Sequence, residues 1–137
     1  MGYKLLNARE TLRPFKVSNT ATIAPGDIIV LDGNGYAETA AAGANAPIGI
    51  TPDAVLTLPS GASDGFATIL VNVDPSAVFE LAAASVTLAM QGKTCDVGGA
   101  QSIDVAASTD DCIRILDVDV TRAVAAISII PKLGGVV

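Results

Sequence analysis

Turn-forming residues interrupt this chain about every 8–12 residues, which leaves little room for helices and constrains the fold more than any other feature. Ala24-Pro25-Gly26-Asp27, Asp32-Gly33-Asn34-Gly35, Thr51-Pro52-Asp53, residues 59–65, Asp74-Pro75-Ser76 and Gly98-Gly99 all read as breaks. Between them lie short, mostly β-branched runs. Ile28-Ile29-Val30-Leu31 suits a buried strand, and Asn34-Gly35 then signals a type I′ hairpin with 36–40 as the returning strand. Residues 40–46 are an Ala/Gly/Asn linker, and 47–51 form a short strand end or bulge. A brief extended run follows at 55–58, then strands over 66–73, 78–81, 103–105, 112–118 and 125–130. Residues 15–23 alternate only loosely, and the Ala-rich stretch 81–91 reads as a short helical turn ended by Gly92. The expected fold is all-β: one small barrel or sandwich of about eight to ten short strands over 15–137, with an extended N-terminal arm over 1–14 and at most one short helical turn.

Several chemistries fall away on composition. The 137 residues contain no histidine, which removes the commonest general base and metal ligand and the Ser/His and Cys/His nucleophile pairs. The longest apolar stretches, at 81–84 and 124–127, are far below the roughly 18 residues of a membrane helix. Residues 1–14 lack the apolar core of a secretory signal, so export is not expected, and Cys95 and Cys112 are expected to be buried reduced thiols.

Charge divides the chain unevenly. Lys4, Arg9, Arg13 and Lys16 against Glu10 make residues 1–16 net +3, while the rest carries four bases and thirteen acids. An acidic body opposes a phosphate backbone, so nucleic acid is not an expected partner. The basic arm is either a solvated terminus or a tether onto a partner surface. Tyr3, Leu5, Leu6, Leu12 and Phe15 give it more apolar anchoring than a solvated tail requires.

Each potential site has a plainer explanation. The Asp32-Gly33-Asn34-Gly35 run lacks the acid a calcium loop needs at its twelfth position, which is Gly43, so no metal is expected. Asp110-Asp111 reads as a solvated turn, and Asp117 and Asp119 share the wet face of a strand. Neither cysteine has a base beside it, only Lys93 and Arg114 nearby. Gly98-Gly99 and Gly134-Gly135 lack the Lys-Ser/Thr of a phosphate loop and read as turn and tail. Biotinyl and lipoyl carrier domains share a Pro-Gly-Asp turn before an apolar run, but they present a lysine at the hairpin tip. Here the tip is Gly33-Asn34, with no lysine between Lys16 and Lys93.

In order and spacing, several motifs resemble the small β-rich decoration, or cement, proteins of tailed-bacteriophage capsids. They are Ala24-Pro25-Gly26-Asp27 with Ile28-Ile29-Val30-Leu31, Ala46-Pro47-Ile48-Gly49-Ile50, the Val-Asp-Pro core of 71–79, Gln91-Gly92-Lys93-Thr94-Cys95-Asp96-Val97, and Ile103-Asp104-Val105 leading to 124–131. The resemblance implies a compact β-barrel made in the host cytoplasm that binds the outside of the virion head. It further implies a homo-oligomer, most often a trimer, that staples neighbouring major capsid protein subunits without enzymatic activity or cofactor. The arm residues Tyr3, Leu5, Leu6, Arg9, Leu12 and Arg13 are the expected capsid contacts. A second reading is a carbohydrate-binding β-domain of a phage tail fibre or receptor-binding protein, with Tyr36 as the stacking ring. A third, a small enzyme using the Asp pairs or Cys112, lacks a base to support it.

Overall fold

A computed structural model describes residues 3–56 and 58–130. Among these residues, ten short strands form two sheets. The first combines β1 (Leu12–Lys16), β2 (Ile28–Leu31), β3 (Ala37–Thr39), β4 (Gly49–Ile50) and β5 (Thr68–Asn72) in the order β1-β5-β4-β2-β3, all antiparallel. The second is a closed five-stranded barrel of β6 (Phe79–Ala82), β7 (Thr94–Gly99), β8 (Ser102–Asp104), β9 (Ile113–Asp119) and β10 (Val124–Ile129) in the order β10-β6-β8-β7-β9. Closure removes the barrel's edges, the usual solution for short strands.

The first sheet is buried on both faces over part of its area, which explains the unbroken apolar run of β2. Ile29 joins Val17, Ile23, Ala37, Ile69 and Val71 in a core inside the curl of the sheet. Ile28, with Ile50, instead faces the barrel core of Phe79, Val97, Ile113, Ile115 and Ile127. A strand covered on both faces loses period-two alternation. Asp27 holds the two layers in register: its buried carboxylate accepts from Thr39 Oγ1 (2.8 Å), from Ala24 N–H (3.0 Å) and from Gln101 Nε2 (2.8 Å), which lies between β7 and β8.

Several local expectations are corrected. The β2–β3 hairpin forms, but not through a type I′ turn. Only Gly35 has positive φ (88°), and the Asp32 carboxylate accepts from the N–H groups of Asn34 (2.8 Å) and Tyr36 (3.0 Å). That side-chain bonding favours a longer turn with glycine at its left-handed position. The stretch 81–91 begins as the end of β6, and its 3₁₀ turn covers only Leu88–Met90. Gly98 and Gly99 belong to β7 rather than to a turn, and β7 is a strand the local pattern did not reveal. Of the expected run at 55–58, Val55 forms a bridge with Ile23, and residue 57 lies outside the described residues. The boundary drawn between 14 and 15 falls within β1. Gly134-Gly135 and the end of the 15–137 domain lie outside the described residues.

Candidate functional site

The N-terminal segment is laid against the body. Residues 4–6 run antiparallel to the start of β6: Leu5 bridges Phe79, Leu6 N–H donates to Val78 O (2.7 Å) and Glu80 N–H donates to Lys4 O (3.1 Å). Tyr3 meets Phe79 edge-on at 5.8 Å, and its hydroxyl donates to Glu10 (2.9 Å) while accepting from Asn72 Nδ2 (3.1 Å). Burial pushes the Tyr3 phenol up to about 12; Asn72 opposes the shift and Glu10 adds to it.

The six expected contact residues therefore divide. Tyr3 and Leu5 pack against the barrel core, while Leu6, Arg9, Leu12 and Arg13 are exposed. Asn72, which the sequence did not single out, organises the division. Buried at the end of β5, it donates to Arg9 O (3.3 Å) as well as Tyr3 and accepts from Thr11 N–H (3.1 Å) and Asp74 N–H (3.2 Å). Its only sequence signal is a polar residue inside an apolar run, Val71-Asn72-Val73.

Lys4 and Arg122 both pair with Glu80, at 2.8 and 2.9 Å, tying the N-terminal segment to the β9–β10 turn. Hydrogen bonds from Lys4 and then Arg122 hold the Glu80 carboxyl below its ordinary value of 4.5. A depressed carboxyl pKa stabilises the fold above the ordinary value and stops doing so as pH falls through the folded value. Both cations are about half exposed, so the effect is small. Glu80→Gln is expected to lower Tm by about 2 °C at pH 7, and the gap to wild type should close below pH 4.5. Thermal melts of both proteins from pH 3 to 7 measure this.

Beside the segment, the first sheet opens into a cleft of about 610 Å³. Phe15, Leu31, Ile48 and Val73 supply apolar wall, Gly49 and Asn72 lie in it, and Arg13, Asp32 and Asp74 contribute the charges. Its lining is drawn from β1, β2, β4, the end of β5, the residues beside them and Ile129 of β10, with none from β3. β1 and β3 are outermost in the strand order, and among the described residues they are bridged at Val17 and Ala37, just past the end of β1.

The remaining polar clusters serve turns. The buried Asp96 carboxylate accepts from the N–H groups of Thr109, Asp110 and Asp111 at 2.8–3.1 Å, which forms the 109–111 turn. Asp119 accepts from Arg122 N–H, and Asp117 is exposed. Among the described residues, no group of three or more metal-ligating side chains converges. Tyr36 is half-buried, with Gly65 against its ring edge.

Cys95 and Cys112 are free and buried. Burial, with the Cys112 thiol next, raises Cys95 to about 12, and burial also raises Cys112. Native protein is expected to give almost no reaction with a thiol-disulfide reagent at pH 8, and urea-unfolded protein to titrate both thiols. Comparison with known protein families, curated proteins and solved structures finds no match.

Proposed function

We propose that this protein is a non-enzymatic decoration protein of a tailed-phage head. In this reading it binds the capsid exterior and staples neighbouring major capsid protein subunits, acting as a homo-oligomer with the trimer favoured. One observation carries the proposal: a sheet face only partly covered by the protein's own barrel. The outward face that packs against the barrel at Ile28 and Ile50 continues across Leu70 and its partner Pro14 to Leu12, all three exposed. Phe66, two residues before β5, is 62% exposed, and Leu6 and Arg9 are exposed on the segment that leads into β1, whereas Arg13 lies on the opposite face of β1 with Phe15. An exposed apolar stripe on an acidic body suits burial against another protein surface.

A ligand that binds only the assembled shell shifts its disassembly equilibrium, and many copies multiply the effect. The test is co-sedimentation and electron microscopy of heads with and without the protein. Leu70→Asp, at an exposed position, should keep the wild-type Tm and weaken head binding by about tenfold or more. Absence of added density on the shell overturns the proposal. Glycan binding that disappears in Tyr36→Ala would instead favour the carbohydrate reading.

A further inference from the structure

We propose that Asn34 is a site of spontaneous covalent modification, deamidation through a cyclic imide, and that Asp32 is the positioning residue that holds the reaction back in the folded protein.

The chemistry needs only the chain itself and water. The Gly35 amide nitrogen loses its proton to base and attacks Asn34 Cγ. A new C–N bond closes the imide, the bond from Cγ to the side-chain nitrogen breaks, and that nitrogen takes a proton and leaves as ammonia. Water then opens one of the two imide carbonyls, which gives aspartate or isoaspartate; in isoaspartate the main chain runs through the former side chain. The net reaction consumes one water and releases one ammonia, with no oxidant or metal.

Asparagine is thermolabile by this route, and the side chain of the following residue crowds the attacking nitrogen. The five asparagines precede Ala8, Thr20, Gly35, Ala46 and Val73, so Asn34 alone precedes a residue without a β-carbon. The Asp32-Gly33 and Asp64-Gly65 pairs offer a carboxylate, a poorer electrophile than an amide. Placement in the fold agrees. Asn34 is exposed in the β2–β3 turn, and its side chain makes no hydrogen bond among the described residues. A β-carbon built on Gly35 would meet nothing within 4 Å, so the space beside the attacking nitrogen is open. By contrast Asn72 is buried, and the Asn7 side chain donates to Ser76 O and accepts from Arg9 and Val78 N–H.

The turn opposes the attack. Gly35 N–H donates to Asp32 O (3.0 Å), and that bond must break before the nitrogen can lose its proton. The Asp32 carboxylate fixes the N–H groups on either side, those of Asn34 (2.8 Å) and Tyr36 (3.0 Å), and Asp32 N–H donates to Tyr36 O (2.8 Å). The folded chain therefore reacts only during local opening of this turn. A carboxylate beside the turn also disfavours negative charge on the Gly35 nitrogen. Conversion has a structural consequence. It adds a negative charge next to the cleft wall at Leu31 and Asp32, and isoaspartate lengthens the connection between β2 and β3 by one main-chain atom.

The test incubates the full chain in mildly alkaline buffer at physiological temperature, beside a capped synthetic peptide of residues 30–38. Peptide mapping by mass spectrometry follows every asparagine and separates aspartate from isoaspartate by retention. Asn34 should convert before the other four, about tenfold more slowly than in the peptide. Asp32→Ala should close most of that gap at Asn34 alone, and Asp32→Ser, which keeps an oxygen acceptor on a shorter arm, should fall in between. Conversion that begins at another asparagine, or Asn34 still intact when the peptide has reacted completely, overturns the site. An Asp32→Ala rate equal to wild type, or an acceleration shared by all five asparagines, overturns the role of Asp32.

Discussion

Gly49→Ala is expected to destabilise the protein by about 3 kcal/mol and to lower Tm by about 10 °C. Gly49 lies in β4, between Ile29 of β2 and the end of β5, with φ at +159°. A β-carbon there would sit 2.1 Å from the Asn72 carbonyl oxygen and 2.9 Å from its carbon, with Val71 Cγ1 at 3.0 Å. The first two atoms are backbone in a paired strand, so relief requires β4 and β5 to separate. Separation would open the cores on both sides of the sheet, because Ile50 faces the barrel and Val71 faces the curl. Gly33→Ala is the control: its added carbon meets nothing within 4 Å, and the change should stay within about 0.5 kcal/mol. Urea unfolding of the three proteins measures both effects. A Gly49→Ala loss below about 1 kcal/mol would mean that the two strands do not approach as described.

Asn72→Ala is expected to cost about 2–4 kcal/mol and to loosen residues 3–11 before the rest of the molecule unfolds. The Asn72 side chain is 1% exposed and makes four hydrogen bonds, three of them to the N-terminal segment and one to Asp74. Truncation leaves the Thr11 and Asp74 N–H groups and the Arg9 carbonyl without their side-chain partner, and a buried group left unpaired costs more than a typical hydrogen bond contributes. Tyr3 loses one of its two hydroxyl partners and keeps Glu10. Tryptic cleavage after Arg9 should accelerate about tenfold relative to cleavage within β9, and amide exchange should rise first at Leu6 and Glu80. Uniform acceleration at both sites would show that Asn72 supports the whole fold rather than holding this segment.

Legibility in the sequence varied with how local each feature is. The β2–β3 hairpin was readable because its β-branched run and its Asn-Gly signal are adjacent. The turn type was not, because the Asp32 carboxylate bonding two N–H groups outweighs the usual preference of Asn-Gly. β7 escaped notice because Thr94, Asp96, Gly98 and Gly99 dilute its apolar pattern. Asp96 is held at a buried position with the help of the N–H groups of Thr109, Asp110 and Asp111, thirteen to fifteen residues away. The N-terminal segment was recognisable as apolar and basic. That Tyr3 and Leu5 turn inward while Leu12 and Arg13 stay exposed depends on Phe79 and Asn72, more than sixty residues along the chain. The cleft was the least visible feature, since its lining runs from Arg13 to Ile129 through segments that share no motif.

Turn spacing and short β-branched runs were enough, unaided, to establish an all-β fold of short strands, and the residue counts established an acidic body with a basic beginning and no imidazole chemistry. These are properties of composition and of neighbouring residues, so they survive without knowledge of the partners. Tertiary structure alone decided that the strands divide into a closed barrel and a second sheet, which face of that sheet is left uncovered, and which arm residues are free. Strand pairing brings together residues far apart in sequence, and a shift of one residue exchanges the two faces of a strand, so local pattern cannot specify which side chains meet or which remain exposed.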